Sequence, residues 1–434
     1  MKHSFYLLLV FPLVWLASGC TDTCKETRTY RRYVNVMLTA QQVRQGVKQE
    51  SPRELSKPGK IYTKDGFLFI NELKEGIHLI DNRDPARPQP LAFIRIPGNG
   101  DMAVRNNILY ADSYMDLVAL DISDLSNIRE INRVQNVFPN GQFEGGWWSV
   151  QTGTTGVMLS DQRVEYVTET VRTNCDESVT TWGWGWCPNC LVDARFASQS
   201  SAASPAPTTN GVGGSMARFT LYDNYLYTVG QSDMQLFNIT DPTRPRPGER
   251  INLGWGIETI FPYKDKLFIG SNTGMFIYDN ANPARPVRMS VFQHARVCDP
   301  VVVEGDLAYV TLRSGNLCQG FTNQLDVVDI SDLYNPKLLK SYPMINPHGL
   351  GIDFPNLFIC EGQHGLKTFN ASEASAITQL EFLTGIDAYD VIPLGRYSGR
   401  ETLLMIGKDG LYQFDYSNPK QLRQLSKVPV KRPY

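Results

Sequence analysis

Five polar side chains in this 434-residue chain are of the types that bind cations or move protons, and an arginine belongs to the same series. After a first gap of 117 positions they recur every 40 to 49 residues, each at or beside the start of a short apolar run. Carboxylates grouped around one histidine can hold a divalent cation or carry out acid–base chemistry. The alternative is a set of solvated polar groups that line a channel. The six residues are Asp101, Arg218, Glu258, Asp299, His348 and Asp390.

A second candidate for chemistry is the motif Cys187-Pro188-Asn189-Cys190, with Cys175 twelve residues before it. This spacing is typical of a redox pair or of half a metal site. One such motif supplies only two sulfur ligands, so a structural disulfide is the interpretation that we favour. Cys24 has no evident partner in the sequence.

Other enzyme signatures are absent from the sequence, which has no Gly-x-Ser-x-Gly elbow, no P-loop and no His-Glu-x-x-His motif. A net charge of −2 argues against binding of nucleic acid, which requires a basic surface. The 35 Gly, 26 Pro, 20 Tyr and 20 Phe favour a β-rich chain with tight turns. We predict no cofactor, and a divalent cation is the alternative that the polar set leaves open.

One short pattern recurs seven times between residues 58 and 430. In each copy an apolar residue stands four positions before an Asp or Asn, which we call the anchor, and another stands directly before it. Pairs such as Asp241-Pro242 follow the anchor by three and four residues and favour a type I turn. The sixth copy departs most, with Glu373-Ala374 at this place. The anchors are Asp81, Asp121, Asn238, Asp279, Asp329, Asn370 and Asp415.

The spacing of the anchors predicts the fold. Apart from one interval of 117 residues they lie 40 to 50 residues apart, and a period near 40 with several short strands is typical of a β-propeller. We therefore predict an all-β propeller of seven four-stranded blades, with one long insertion between blades two and three. Six or eight blades are the alternatives. The segments Leu325 to Asp329 and Ile77 to Asp81 resemble the LVIVD repeat of exported bacterial proteins. The resemblance implies a propeller and an exported setting, but no particular activity.

The loops of such a propeller divide between two faces. Strands alternate in direction, so the turns after the anchors share one face with the turns between first and second strands. The insertion and a longer loop at about 312–324 then emerge on the other face, which we call the irregular face. Long connections are usually functional or disordered. We expect the irregular face to do the binding, with the six polar residues at the mouth of the central channel.

The insertion contains most of the tryptophans of the chain. Exposed aromatic rings favour a surface that binds a sugar, a peptide or a protein. The alternative is a small lid whose rings pack against the propeller. Residues 197–215, rich in Ser, Ala, Pro and Gly, are typical of a flexible linker. The tryptophans in question are Trp147, Trp148, Trp182, Trp184 and Trp186.

The N-terminus carries an export signal. The apolar run from Phe5 to Leu16 is too short to span a bilayer, and Leu16-Ala17-Ser18-Gly19-Cys20 resembles a bacterial lipobox, which implies lipid attachment at Cys20. Thr21 in place of Asp favours the outer membrane. An ordinary secretory signal is the alternative. The predicted divisions are a signal peptide (1–19), a tether (20–29), an N-terminal strand and short helix (30–57), blades one and two (58–133), the insertion (134–215) and blades three to seven (216–430).

Two details of this division are specific enough to check. The strand-like run 30–39 is expected to add to the edge of the last blade, because an open sheet edge is a liability. Thr39 and Gln42 form a capping-box pattern for a short helix over 40–48.

Export places the cysteines in an oxidising compartment, where disulfides are the default. Cys298 opens the first strand of blade five and Cys318 lies in the inserted loop of that blade, so we predict that they are bonded to each other. Cys360, at the end of a strand in blade six, reaches the same face and is the competing partner.

The sequence favours a non-catalytic binding or scaffolding module of the bacterial cell envelope. Its irregular face would meet an envelope protein or a glycan, and a lipid anchor would be its sole link to the membrane. The alternative is a metal-assisted hydrolase or lactonase-like enzyme with its site at the channel mouth. An envelope assembly component with purely structural duties has the same sequence features.

Overall fold

The structure is a computed structural model that describes residues 23–143, 146–153, 156–174, 211–293, 300–313 and 323–431. The signal peptide with Cys20, the motif at 187–190 with Cys175, and the predicted pair Cys298 and Cys318 all lie outside these ranges. Two compact units are present. The smaller comprises Met1–Asn35 and Gln162–Val192, and the larger Val36–Asp161 and Asp193–Tyr434.

Short strands make up nearly all of the regular structure. In the first half of the chain they are β1 (Thr23–Thr39), α1 (Ala40–Arg44), β2 (Lys48–Glu50), β3 (Pro58–Lys64), β4 (Phe67–Glu72), β5 (Gly76–Asp81), β6 (Gln89–Arg95), β7 (Met102–Arg105), β8 (Ile108–Ser113), β9 (Asp116–Asp121), β10 (Arg129–Val134), β11 (Asn140–Phe143), β12 (Gly146–Gly153), β13 (Gly156–Asn174) and β14 (Val212–Gly213).

The second half continues with β15 (Phe219–Tyr222), β16 (Tyr225–Val229), β17 (Asp233–Asn238), β18 (Arg246–Asn252), β19 (Ile257–Tyr263), β20 (Lys266–Ser271), β21 (Gly274–Asp279), β22 (Val287–Gln293), β23 (Val301–Glu304), β24 (Leu307–Leu312), β25 (Gln324–Asp329), β26 (Lys337–Pro343), β27 (Leu350–Asp353), β28 (Asn356–Cys360), β29 (Leu366–Asn370), β30 (Thr378–Leu383), β31 (Ala388–Pro393), α2 (Gly395–Ser398), β32 (Thr402–Gly407), β33 (Gly410–Asp415) and β34 (Arg423–Pro429). Neither helix of the described ranges has the length or the hydropathy of a membrane span.

Each of the seven sequence repeats forms one antiparallel sheet in the larger unit. The four strands of a repeat pair in chain order, from β3–β6 in the first sheet to β31–β34 in the seventh. The first strands of consecutive sheets contact one another, and β3 also contacts β32 of the seventh sheet, so the first strands form a closed ring. The all-β propeller predicted from the anchor spacing is confirmed. The sixth repeat, which lacks the Asp-Pro turn, forms its sheet like the others.

The turns behind the anchors hold neighbouring sheets together. In every repeat the carbonyl of the residue four positions after the anchor accepts a hydrogen bond from a side chain of the preceding sheet, at 2.6–3.0 Å. The bond from Ser426 to Pro85 joins the last sheet to the first. The seven pairs, donor first, are Ser426 and Pro85, Gln49 and Leu125, Tyr110 and Pro242, Tyr227 and Pro283, Ser290 and Leu333, Tyr342 and Ala374, and Thr368 and Pro419.

The same turns occupy the face that the sequence assigned to them. The residue after each anchor donates its backbone N–H to a carbonyl in the turn between the first and second strands, as Ile122 does to Asn107 at 2.8 Å. This contact occurs in all seven repeats at 2.7–2.9 Å. The two classes of turn therefore lie on one face, as predicted, and the strands before the insertion and before the long loop, β10 and β24, end at the other face.

The N-terminal region corrects one prediction. The run 30–39 does not extend the last blade, because β1 lies in a separate sheet with the order β1-β13-β12-β11. Strands of the insertion supply its hydrogen-bonding partner. The segment beside the last blade is instead the one at Leu55, which bridges to Val430 and accepts from the Lys431 N–H at 2.7 Å. Asn82 and Gln413 exchange two side-chain hydrogen bonds across the same junction.

The predicted helix is present but shorter than 40–48. α1 spans Ala40–Arg44 and begins with the expected capping box, in which Thr39 and Gln42 bond to each other's backbone N–H. It ends early because residues 48–50 form β2, which adds to the outer edge of the first sheet by pairing with β6.

Glycine begins several third strands for a steric reason. At Gly410 the φ angle is +134°, and a Cβ atom there would lie 2.0 Å from the Val428 carbonyl oxygen of the neighbouring strand. Gly76, Gly274 and Gly365 repeat this arrangement, with a carbonyl oxygen 2.0–2.5 Å from the position of the missing Cβ. A side chain here would push the third and fourth strands apart.

We predict that Gly410→Ala lowers the free energy of unfolding by more than about 1 kcal/mol, since it adds both a strained φ and a collision. Gly153→Ala is the matched control, because nothing lies within 4 Å of its Cβ position and it should change stability by less than about 0.5 kcal/mol. Thermal unfolding of the two variants measures the difference. Equal melting temperatures would contradict the steric argument.

Candidate functional site

The centre of the propeller is crossed by the chain itself. Residues 211–218 run from the end of the insertion to the start of β15 and are buried or half-buried. Gly211 donates its N–H to the Val104 carbonyl at 2.8 Å and accepts from the Tyr62 hydroxyl at 2.9 Å. Val212 and Gly213 form β14, which pairs with β3, the first strand of the first sheet.

The next residues reach the first strands of further sheets. The Ser215 hydroxyl donates to Asp390 Oδ1 at 3.0 Å and accepts from the Leu350 N–H at 2.8 Å. The Ala217 carbonyl accepts from the Ile260 N–H at 2.9 Å. First strands line the channel of a propeller, so the segment 211–218, which we call the channel segment, fills part of it.

This placement corrects the prediction of a flexible linker over 197–215 for the part that the structure describes. Residues 211–215 are held by hydrogen bonds to four sheets. Gly214 is there because its α-carbon packs on the Asp390 carboxylate, and a Cβ would lie 2.2 Å from Asp390 Oδ2. Glycine permits both flexibility and close packing, and the sequence does not tell the two apart.

Asp101, one of the predicted site residues, accepts four hydrogen bonds through its carboxylate. Its Oδ2 accepts from Lys60 Nζ at 2.8 Å and from the Arg218 and Phe219 N–H groups at 2.5 and 3.0 Å. Its Oδ1 accepts from the Met102 N–H at 2.7 Å. Asp101 is buried, so this carboxylate ties the end of the channel segment to the first and second sheets.

Asp112 lies directly beside it and was not singled out from the sequence. Its Oδ1 accepts from Asn99 Nδ2 and from the Gly100 and Asp101 N–H groups at 2.8–3.0 Å. Burial, reinforced by the negative charge of Asp101, raises the pKa of Asp112 to about 6. The pair therefore places one carboxyl that titrates near neutrality next to one that is bonded to a lysine.

Arg218, Glu258 and His348 follow around the channel. The Arg218 guanidinium donates to the backbone carbonyls of Ile257 and Glu258 at 3.4 Å, and burial lowers its pKa despite the nearby Glu258 carboxylate. Arg313, also missed from the sequence, is acted on by the same carboxylate. The Arg218 guanidinium is thus influenced by the carboxylates of both Glu258 and Asp101. These three predicted residues form one group in which positive and negative charges alternate.

His348 is buried and held neutral. Burial and the charge of Arg313 lower its pKa well below the ordinary value. One ring nitrogen, Nε2, lies 3.1 Å from Asn346 Nδ2, while the buried Nδ1 has no hydrogen-bond partner in the described part of the chain. Asp299, the remaining predicted member, lies outside the described residues. Within the described ranges, no three His, Cys, Asp or Glu side chains are grouped closely enough to hold a metal ion.

Cys360, the competing disulfide partner, is a buried free thiol within the described residues. Burial raises its pKa well above the ordinary value, with Asp390 and Glu361 adding to the effect. The pairing of Cys298 with Cys318 stays a prediction.

The described tryptophans of the insertion separate into two roles. Trp148 is buried and meets Tyr114 edge to face at 5.5 Å, which is the packing that a lid would show. Its neighbour Trp147 is 38% exposed and stacks on Trp255, with ring centroids 5.8 Å apart and an interplanar angle of 24°. Trp255 is 63% exposed and lies in the connection between β18 and β19, on the irregular face.

The site residues that sequence reasoning missed had weak local signals. Lys60 lies within a first strand next to Ile61 and Tyr62, and Ser215 follows Gly213 and Gly214, so either could have drawn attention. Trp255, flanked by Gly254 and Gly256, is an aromatic residue in a turn and could have been noticed. Nothing in the sequence connects it to Trp147, which is 108 positions away.

The comparisons with known proteins agree with this fold. The model of the LVIVD repeat family matches residues 99–136 and 295–343. No curated protein matches the chain significantly. A protein of unknown function from Desulfotomaculum acetoxidans is similar in structure, with 10% identity, a TM-score of 0.50, and coverage of 85% of this chain and 95% of that one.

Two further structures have lower scores. The computationally designed Ika8 protein has a TM-score of 0.49 at 9% identity and covers 89% of this chain and 93% of its own. PorZ of Porphyromonas gingivalis, described as a surface component of a type-IX secretion system, has a TM-score of 0.47 at 12% identity. The match covers 88% of this chain and 39% of PorZ. At these identities the likeness concerns the fold alone.

The raised pKa of Asp112 predicts a pH-dependent stability. Between about pH 4 and pH 6 the Asp112 carboxyl of the folded protein keeps its proton, whereas the same group in the unfolded chain, with a pKa near 3.8, has already released it. Asp112 therefore contributes stability below pH 4 that is lost as the pH rises through about 6. In Asp112→Asn this change is absent, so the wild type should lose on the order of 2 kcal/mol relative to the variant between pH 4 and 7. Unfolding midpoints over this range measure it, and parallel curves would show that the group does not titrate there.

Proposed function

We propose that this protein is a non-catalytic binding module of the bacterial cell envelope and that its irregular face, centred on Trp255, meets an envelope protein or a glycan. The observation that carries the proposal is the stacked and exposed pair Trp147 and Trp255. Large aromatic rings that remain in water cost free energy, and exposed aromatic surface marks interaction sites.

The opposite face supports this choice. Its turns bond to one another and to the preceding sheets in every repeat, so their polar groups are used in holding the ring of sheets together. The irregular face carries the insertion and Trp255, which lies between sheets and is not part of the repeated pattern. Variation concentrated on one face of a repetitive scaffold is typical of binding surfaces.

The channel residues have a structural use. Asp101 and Asp390 bind the channel segment, through Arg218 and Ser215 respectively. Their hydrogen bonds hold that segment in place, which favours the binding role over a hydrolase with its site at the channel mouth.

The envelope location rests on the lipobox. We propose that Cys20 is lipid-modified and anchors the protein in the outer membrane. The test is Cys20→Ala, which removes the thiol to which the lipid would attach and should move the mature protein from the membrane fraction to the soluble fraction. Cell fractionation followed by immunoblotting measures this. A variant that stays in the membrane with unchanged processing would contradict the anchor.

The binding role is tested by retention of the purified protein on washed envelope fragments of its own organism. Trp255→Ala should weaken retention by about 30-fold, because loss of a central aromatic contact typically costs 2 kcal/mol or more. Tyr334→Ala is the matched control, since Tyr334 is 67% exposed but lies in a turn after the anchor Asp329, on the other face.

The outcomes separate the two functions. Saturable retention that depends on Trp255 and not on Tyr334 supports the binding module. If Trp255→Ala and Tyr334→Ala are retained equally well, the proposal that the irregular face binds the envelope is wrong. Turnover of an envelope component by the wild type, abolished in His348→Ala, would favour the hydrolase instead.

A further inference from the structure

The loop that carries Trp255 is fixed before any ligand arrives. Gly256 and Ile257 donate their N–H groups to the Gln231 carbonyl at 2.9 and 3.1 Å, and Leu253 donates to Ser232 at 2.8 Å. These bonds tie the loop to the hairpin between β16 and β17. A loop bonded in this way holds its side chain in place, so little conformational entropy is lost on binding.

The neighbouring side chains complete the support. Asn252 Oδ1 accepts from the Gly254 N–H at 2.9 Å, and Asn272 donates its N–H to the Gly256 carbonyl at 2.9 Å. The Asn272 amide packs on Gly256, where a Cβ would lie 2.1 Å from its Oδ1. Trp147 stacks on the Trp255 ring, with ring centroids 5.8 Å apart. Trp255 nevertheless stays 63% exposed, so a large part of its surface is available to a ligand.

The loop that carries Trp255 is polar and uncharged. The stretch from Asn252 to Ile257 contains no ionisable residue, and Gln142 lies directly across the strand pair from Trp147. Arg250 and Asp233, on the adjacent strands β18 and β17, form an ion pair at 2.7 Å. Arg250 uses its remaining nitrogens on Gln235 and on the Val137 carbonyl.

These features distinguish between kinds of ligand. A peptide that added to this loop as a strand would need free backbone N–H groups, and those of Leu253, Gly254, Gly256 and Ile257 already donate to other groups. An ionic ligand would find Arg250 and Asp233 already paired with each other. A flat indole face bordered by carboxamide groups suits the apolar face of a sugar ring, because carboxamides both donate to and accept from hydroxyl groups.

We propose that the stacked pair Trp147 and Trp255 is a carbohydrate-binding platform, which seats one pyranose ring of a neutral glycan on the exposed face of Trp255. This assignment rests on the proposed binding function and specifies its ligand class. Asn252 and Gln142 are the side chains placed to reach the sugar hydroxyls, and Trp147 holds the platform ring at its angle.

The test is calorimetric titration of the purified full-length protein in detergent with four neutral hexasaccharides: maltohexaose, cellohexaose, xylohexaose and chitohexaose. At least one should bind to the wild type, and its affinity should fall about tenfold or more in Trp255→Ala. Trp255→Tyr, which keeps a flat aromatic face, should recover most of the affinity. Trp147→Ala should weaken binding less than Trp255→Ala, because it removes the support and not the contact. Tyr334→Ala should leave the affinity unchanged.

Each result bears on one of the two proposals. If none of the four sugars binds, or if Trp255→Ala binds as well as the wild type, the carbohydrate platform is wrong. The binding module itself survives that result if retention on envelope fragments still depends on Trp255 and is lost when the fragments are treated with protease, since the ligand is then a protein. If retention is also independent of Trp255, both proposals are wrong.

Discussion

The structure depends on a ring of seven hydrogen bonds between neighbouring sheets. Each sheet sends one side chain to the turn carbonyl of the next, and the bond from Ser426 to Pro85 closes the circle over 341 positions. A single bond of this kind contributes about 1 kcal/mol, but its geometry also fixes the position of one sheet against the next. The donors vary among Ser, Thr, Tyr and Gln, whereas the acceptor is always the carbonyl four residues after the anchor. The position of the accepting carbonyl is therefore the same in all seven repeats, whereas the donor side chain differs from sheet to sheet.

This ring determines which surfaces are left for function. The turns that accept the bonds are also tied by backbone hydrogen bonds to the turns between first and second strands, and the polar groups of that face are thereby used. The other face tolerates insertions because none of these contacts passes through it. Trp147 enters from the insertion and Trp255 from a connection between two sheets, so the exposed pair exists only where the repeated pattern is interrupted.

The channel shows how a polar cluster can serve the fold. Asp390 accepts from the Ser215 hydroxyl and Asp101 accepts from the Arg218 N–H, so both carboxylates hold the channel segment, and Lys60 balances the buried charge of Asp101. Removing a charge from water is costly unless it is paired and hydrogen-bonded, and both conditions are met at Asp101. Carboxylates around a histidine suggest chemistry when they are seen in a sequence, but here their bonds connect the end of the insertion to the centre of the propeller.

The sequence by itself determined the repeats, the anchor turns, the capping box of α1 and the division of the loops between two faces. These features follow from contacts between residues close in the chain, so residue type and spacing carry them. Only the tertiary structure decided that residues 211–215 enter the channel, that β1 pairs within the insertion sheet, and that Asp112 has a raised pKa. The stacking of Trp147 on Trp255 belongs to the same class. Each of these features depends on groups that are brought together from distant positions in the chain. The sequence around a glycine, an aspartate or a tryptophan in a loop is the same whether or not a distant residue packs against it, so it does not reveal the contact.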